Sequence, residues 1–168
     1  MKKNDFKLIA KEVIGKEINS LIKLRSNINF SFNKAVETIL KCKNGKIILS
    51  GVGKSGIIAK KISATFASTG TPSFFLDASN ASHGDMGQIS SNDVLILISH
   101  SGETDELKNI IQFASRNKKI VLIGITSKKN SLLYRNSNIN LHLPEVSEAD
   151  PSHIVPTCST IVQLSIGD

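Results

Sequence analysis

Tryptophan is absent from this 168-residue chain, tyrosine occurs once and phenylalanine seven times. Aromatic side chains on which bases would stack are therefore scarce, and the basic excess lies away from the loop motifs. Residues 1–46 carry eleven Lys/Arg against four Asp/Glu, the whole net charge of +7, whereas residues 47–168 carry ten of each. A nucleic-acid reader concentrates its basic excess around its binding motifs. Here the excess is spread along amphipathic helices as a solvated face, and no nucleic-acid partner is expected. Cysteine is nearly lacking too. Cys42 and Cys158 have no framework spacing and read as reduced thiols of a cytoplasmic protein. No apolar run approaches membrane-spanning length. The start is no signal peptide, because Lys7, Lys11 and Glu12 interrupt any apolar core. No membrane partner is expected. Repeats and low-complexity linkers are missing as well. At 40% hydrophobic and 21% charged, the chain suits one soluble domain with a real core.

What is present is organised around Lys46 to Gly56. Ile47, Ile48 and Leu49 form a continuous apolar run, as a strand covered on both faces does. A turn with Gly51, Gly53 and Gly56 follows, and then a helix from about Ser55 to Ser68. A helix N-terminus attracts anions, phosphates above all, and Lys54 adds a mobile positive charge there.

Before this strand, residues 4–25 read as a helix, with Phe6, Ile9, Val13, Ile18, Leu21 and Ile22 near helical spacing. A second helix covers about 31–43, with Ala35, Val36, Ile39 and Leu40 inward and Asn44-Gly45 as its terminator. After it, strand and helix alternate. Strands are expected at 46–50, 73–76, 94–98, 120–125 and 139–143, separated by a polar segment over 77–92 and by helices ending near Arg116 and spanning about 131–135. A final helix begins at Thr157. This pattern predicts an α/β fold of three layers, a five-stranded parallel sheet between helices. Ligands of such sheets bind beyond the strand carboxyl ends, where strand order reverses. The apolar face of Ile161, Val162, Leu164 and Ile166 runs into Gly167-Asp168, which suggests a shortened chain.

Three loops carry chemistry. Gly51-x-Gly53-x-x-Gly56 matches the dinucleotide fingerprint in form, and Asp77 is placed to supply a ribose carboxylate, so a nicotinamide enzyme is weighed. Lys54 within the glycine loop suits a compact phosphate better. A nucleoside-triphosphate loop fails, since it needs glycine at Ile48. Ser99, Ser101 and Thr104, with Gly102, place three hydroxyls at a helix mouth. One hydroxyl suffices for a cap; three make a neutral cradle for a phosphate dianion. Thr157, Ser159 and Thr160 open the last helix, either as a polar first turn or as a third set of hydroxyls at the same crevice.

Glu103, Asp105 and Glu106 follow the second loop. Some of this is ordinary helix-dipole chemistry, but Glu106 is placed as a base on the carbons of a sugar phosphate. His83-Gly84-Asp85 lies in the loop after the second strand. His83, His100, His153 and Asp85 match no zinc spacing, so no metal is expected.

Taken together, Gly51-Val52-Gly53-Lys54-Ser55-Gly56, Ser99-His100-Ser101-Gly102-Glu103-Thr104 and Pro156-Thr157-Cys158-Ser159-Thr160 resemble a sugar isomerase (SIS) domain. Ala64 to Phe75 and Ala81 to Gly87 are most similar to the D-arabinose-5-phosphate isomerases of that family. The resemblance covers nearly the whole chain, 1–168, as one SIS domain of flavodoxin-like architecture, with the helical region 1–45 packed on the α/β core. It implies interconversion of ribulose 5-phosphate and arabinose 5-phosphate, which supplies synthesis of Kdo for lipopolysaccharide or capsule. It further implies a bacterial cytoplasm, a homotetramer with shared sites, a sugar phosphate as the small-molecule partner and no cofactor. Lys54, His83, Glu106 and Glu148 match the family's catalytic positions. The family continues into a longer final helix and a pair of CBS domains, with a further active-site histidine, all expected to be missing here. His100 stands where Asn or Tyr is commoner.

Aldose–ketose isomerisation moves a proton between C1 and C2 through a cis-enediol. On this reading Gly53, Ser55, Ser99, Ser101, Gly102 and Thr104, with Thr157 and Ser159, bind the phosphate end. Glu106 or Glu148 is the base, Lys54 stabilises the oxyanion, and His83 handles hydroxyl protons or ring opening. Two other classes stay open, a non-catalytic sugar-phosphate-binding SIS module and the nicotinamide oxidoreductase. A sister activity on an amino sugar or hexulose phosphate is opposed by the His83 segment.

Overall fold

The computed structural model describes residues 5–152 and 154–168. Five strands form one parallel sheet: β1 (Ile47–Gly51), β2 (Ser73–Phe75), β3 (Val94–Ile98), β4 (Val121–Thr126) and β5 (Ile139–His142). Their order is β2-β1-β3-β4-β5. The chain thus leaves β1 in one direction and returns to build in the other, so the reversal falls between β1 and β3. Gly51 is level with Ile98, and Ile98 with Ile125. The loops leaving these strands consequently start from one rim.

Among the described residues, seven α-helices cover the sheet: α1 (Phe6–Asn27), α2 (Phe30–Lys41), α3 (Gly53–Ser68), α4 (Ala78–Ala81), α5 (Lys108–Arg116), α6 (Leu132–Asn136) and α7 (Cys158–Gly167). The strand alternation divides the core into two. Ile47, Leu49, Val94, Ile96, Ile98, Ile123 and Ile125 pack towards α1, α2, α3 and α7. Ile48, Leu95, Leu97 and Leu122 pack towards α4, α5 and α6. Burial on both sides is why the strands read as unbroken apolar runs. Below the sheet, Asp93 accepts from the Lys46 N–H at 2.9 Å, Lys46 Nζ at 2.8 Å and the Ser90 N–H at 2.7 Å. That fully paired buried carboxylate fixes the end opposite the crevice.

Several expectations are corrected. Phe6, Ile9, Ile18 and Ile22 of α1 are exposed, Phe6 by 77%, and so are Val36 and Leu40 of α2. Helical spacing shows that residues share a face, not that the same chain covers it. Gly45 is no left-handed terminator: α2 stops at Lys41, and Gly45 is absent from the positive-φ glycines. It is small because a Cβ there would lie 2.0 Å from the Asn92 carbonyl oxygen. Helix α3 begins at Gly53, two residues earlier than expected, which puts Lys54 and Ser55 inside its first turn. The polar segment 77–92 contains α4 and a 3-10 turn at Asp85–Gln88. A second 3-10 turn, Asp105–Leu107, precedes α5.

Candidate functional site

Strand β1 delivers its chain to the crevice as Gly51-Val52, and α3 starts at once. Gly56 permits this: a Cβ there would lie 2.6 Å from the Gly51 carbonyl oxygen, so helix and strand end could not meet. The first-turn N–H groups of Gly53, Lys54 and Ser55 have no intrahelical acceptor, and no side chain caps this helix. Lys54 is exposed and, among the described residues, has no ion-pair partner. Ser55 Oγ donates to Gln163 Oε1 of α7 at 2.9 Å.

Strand β3 delivers the second loop. Ser99 is buried, and its Oγ lies 2.8 Å from Thr104 Oγ1 and accepts from the Gly102 N–H at 2.9 Å. Gly102 adopts φ +67°, and a Cβ there would sit 2.1 Å from Ser131 Oγ, so no other residue fits. Ser101 Oγ accepts from the Glu103 N–H at 3.2 Å. None of the three hydroxyls caps α5 or the 3-10 turn before it. The capping account of this serine-rich loop therefore fails, and the bonds that Ser99 and Ser101 make hold the loop to itself. Glu103 turns away, its Oε1 accepting from the Leu132 N–H at 2.7 Å. Glu106 lies in the following turn, exposed and, among the described residues, without a hydrogen-bond or ion-pair partner.

The third segment places a carboxylate against the start of α7. Glu148 Oε2 accepts from the Thr157 N–H at 2.7 Å, Thr157 Oγ1 at 3.0 Å and the Ser159 N–H at 3.2 Å. Burial alone would raise its pKa. The Ser159 hydroxyl and the N–H groups of Thr157 and Ser159 outweigh that and hold it below the usual carboxylate range. The hydroxyls expected to meet a phosphate at Thr157 and Ser159 are thus turned onto Glu148. Thr157 Oγ1 also accepts from the Ala149 N–H at 2.8 Å, and Lys16 Nζ donates to the Ala149 carbonyl at 2.9 Å. This pins the segment to α1.

The structure brings together Ser99, Gly102 and Thr104, and separately Glu148, Thr157 and Ser159. His83 stays exposed in the turn after α4, the helix lying against the 105–107 turn that carries Glu106. His153 lies outside the described residues. Sequence reading passed over two side chains. Gln163, a single amide between Val162 and Leu164, belongs to no motif. His100 looked like a departure from the family wording. Its carbonyl accepts from Ser127 Oγ at 2.8 Å, the Ser127 N–H at 3.1 Å and Thr126 Oγ1 at 3.2 Å. Thr126-Ser127, read only as a strand end, thus holds the loop after β3. Burial pushes the His100 imidazole below its ordinary pKa, against the pull of nearby Glu148.

A hollow of about 220 Å³ adjoins Gly53 and Lys60, and one of about 660 Å³ adjoins Ser101, Lys128 and His142. Asp77 does not reach for a ribose: it accepts from the Ser79 N–H at 2.8 Å as the cap of α4. Among the described residues no three of His, Cys, Asp and Glu gather as a metal site, and no helix is long and apolar enough to cross a membrane.

The SIS domain profile matches residues 39–168. The uncharacterized protein RP505 of Rickettsia prowazekii is 46% identical over 165 residues, covering 98% of this chain and 51% of that protein. The arabinose 5-phosphate isomerase KdsD of Francisella tularensis is 46% identical over 161 residues, covering 95% of this chain and 49% of that one. The chain thus spans about half the length of the curated relatives it matches. Among solved structures, E. coli CFT073 c3406 in complex with arabinose 5-phosphate superposes with a TM-score of 0.93 at 38% identity, over 100% of this chain and 88% of that chain.

Proposed function

The chain belongs to the SIS domain family, and on that premise we propose that it interconverts D-arabinose 5-phosphate and D-ribulose 5-phosphate through an enediol. The observation that carries this reading is the loop 99–104. Its three hydroxyls cap no helix, and it opens from the same rim as the uncapped first turn of α3. Free N–H groups, hydroxyls and a lysine suit a phosphate dianion. The names of the relatives supply the sugar.

In this proposal the N–H of Gly53 and the hydroxyls of Ser55, Ser101 and Thr104 bind the phosphate, while Ser99 and Gly102 shape the cradle. The base takes the C2 proton of the open-chain aldose, and the C2–H electron pair becomes the C1–C2 double bond of the enediol as O1 gains a proton. The same acid then returns a proton to C1 as the O2 proton leaves, so nothing is oxidised overall. Glu106 is the base, because its carboxylate is unengaged. Glu148, already stabilised by several donors, is the poorer proton acceptor and serves as a fixed anion at the head of α7. Lys54 offsets the enediolate charge, and His83 serves ring opening. No cofactor enters this chemistry. The product would feed Kdo synthesis for lipopolysaccharide or capsule in the cytoplasm. The exposed apolar residues of α1 and α2 support a homotetramer.

Incubation with arabinose 5-phosphate in heavy water, followed by proton NMR, tests the reading. Loss of the C2 proton signal with ribulose 5-phosphate appearing is expected. Saturable binding with no exchange would refute it in favour of a sugar-phosphate-binding module.

A further inference from the structure

Helix α7 packs Cys158, Val162 and Ile166 into the core, and one amide, Gln163, is buried with them at 1% exposure. Burying an amide is costly unless its polar atoms are bonded. The partner it has is at the crevice: Oε1 accepts from Ser55 Oγ at 2.9 Å, across 108 residues of sequence. Among the described residues, its side chain makes no other hydrogen bond.

This bond poses a problem for phosphate binding. A hydroxyl has one proton and two lone pairs, and a phosphate dianion only accepts. With its proton given to Gln163, Ser55 offers a phosphate nothing but lone pairs. The amide resolves this because its two ends have nearly the same shape and opposite polarity. Turned over, Nε2–H donates to Ser55 Oγ, and the hydroxyl proton is released towards the crevice.

We propose that Gln163 is a positioning residue for phosphate binding, whose amide, by turning over, sets which way the Ser55 hydroxyl donates. The carbonyl end holds the proton when no phosphate is present; the N–H end frees it when one arrives. No aspartate, glutamate or apolar residue serves both states, which gives a reason for an amide buried beside Cys158, Val162 and Ile166. The inference rests on the reading of Ser55 as a phosphate ligand.

Isothermal titration calorimetry with arabinose 5-phosphate, run on the whole chain, tests it in four variants. Gln163→Met conserves volume and suits a side chain buried among Cys158, Val162 and Ile166, so it folds. It should weaken binding about five- to tenfold in the parent chain and leave affinity unchanged in a Ser55→Ala background, because its effect passes through that hydroxyl. Gln163→Glu only accepts and adds a negative charge, so it should weaken binding more than tenfold. In turnover assays the loss should fall on KM rather than kcat, since the phosphate is remote from C1 and C2. Equal losses from Gln163→Met with and without Ser55 would overturn the proposal and leave Gln163 a packing residue. So would Gln163→Glu binding as tightly as the parent. A parent chain that binds inorganic phosphate but not arabinose 5-phosphate would sink the substrate reading alone, and the same cycle run with phosphate would then judge Gln163. Binding of neither would overturn both.

Discussion

Replacing Glu148 with glutamine removes a charge while keeping the shape of the group at the head of α7. Three bonds of 2.7, 3.0 and 3.2 Å converge on its Oε2. A hydrogen bond to a charged acceptor contributes about 1.5–3 kcal/mol and a neutral one about 0.5–1.5, so each bond weakens by about 1 kcal/mol. Loss of the favourable charge at a helix N-terminus adds about 0.5 kcal/mol. Glu148 is only partly buried, and solvent screening reduces the total to about 2 kcal/mol. For a domain of this size that lowers Tm by about 4–8 °C near neutral pH. The pH dependence gives the sharper check. The folded carboxyl is held below its unfolded value, which is about 4.3. Its stabilisation is therefore fully present above that value and is lost as pH falls through the folded pKa. Thermal melts of the parent chain and Glu148→Gln should differ by a constant amount from about pH 8 to pH 5 and converge below about pH 4. A gap equally wide at pH 3, or none at pH 7, would refute the reasoning.

Glu106→Gln should lower kcat by about two to four orders of magnitude with an unchanged Tm, since the side chain is exposed and, among the described residues, unpartnered; near-normal turnover would remove it as the base. Sedimentation velocity should find four chains together, burying the exposed Phe6, Ile9, Ile18 and Leu40, and a monomer at micromolar concentration would end the tetramer proposal.

Much of the fold was legible because its signals are local. Ile47 to Leu49, Val94 to Ile98 and Leu122 to Ile125 are apolar at every position, and runs this short between turn residues are the pattern of a strand covered on both faces. Turn residues marked the gaps between elements. The departures arose where a residue's reason lies elsewhere in the chain. Gly45 answers to Asn92, 47 positions on, and not to the end of its own helix. Ile18 and Ile22 share an apolar stripe whose covering is not supplied by the described residues. Of the site, the hydroxyl loop and the helix that starts in the glycine turn were visible as residue types at fixed spacing. Which hydroxyl does what was not.

By itself, then, the sequence determined the strand–helix alternation, the parallel sheet, the two loops at strand ends and the acids beside them, because apolar periodicity and glycine placement act over a few residues; that β1 and β3 are neighbours, so that both loops open from one rim, came from the sheet order. Only the tertiary structure decided how those groups are engaged. It turned Thr157 and Ser159 onto Glu148 and gave the Ser55 proton to Gln163. It also closed Ser99 on Thr104 and left Glu106 without a partner among the described residues. A hydrogen bond is a matter of a few tenths of an ångström between atoms that the chain brings together from far apart. No local pattern carries that information.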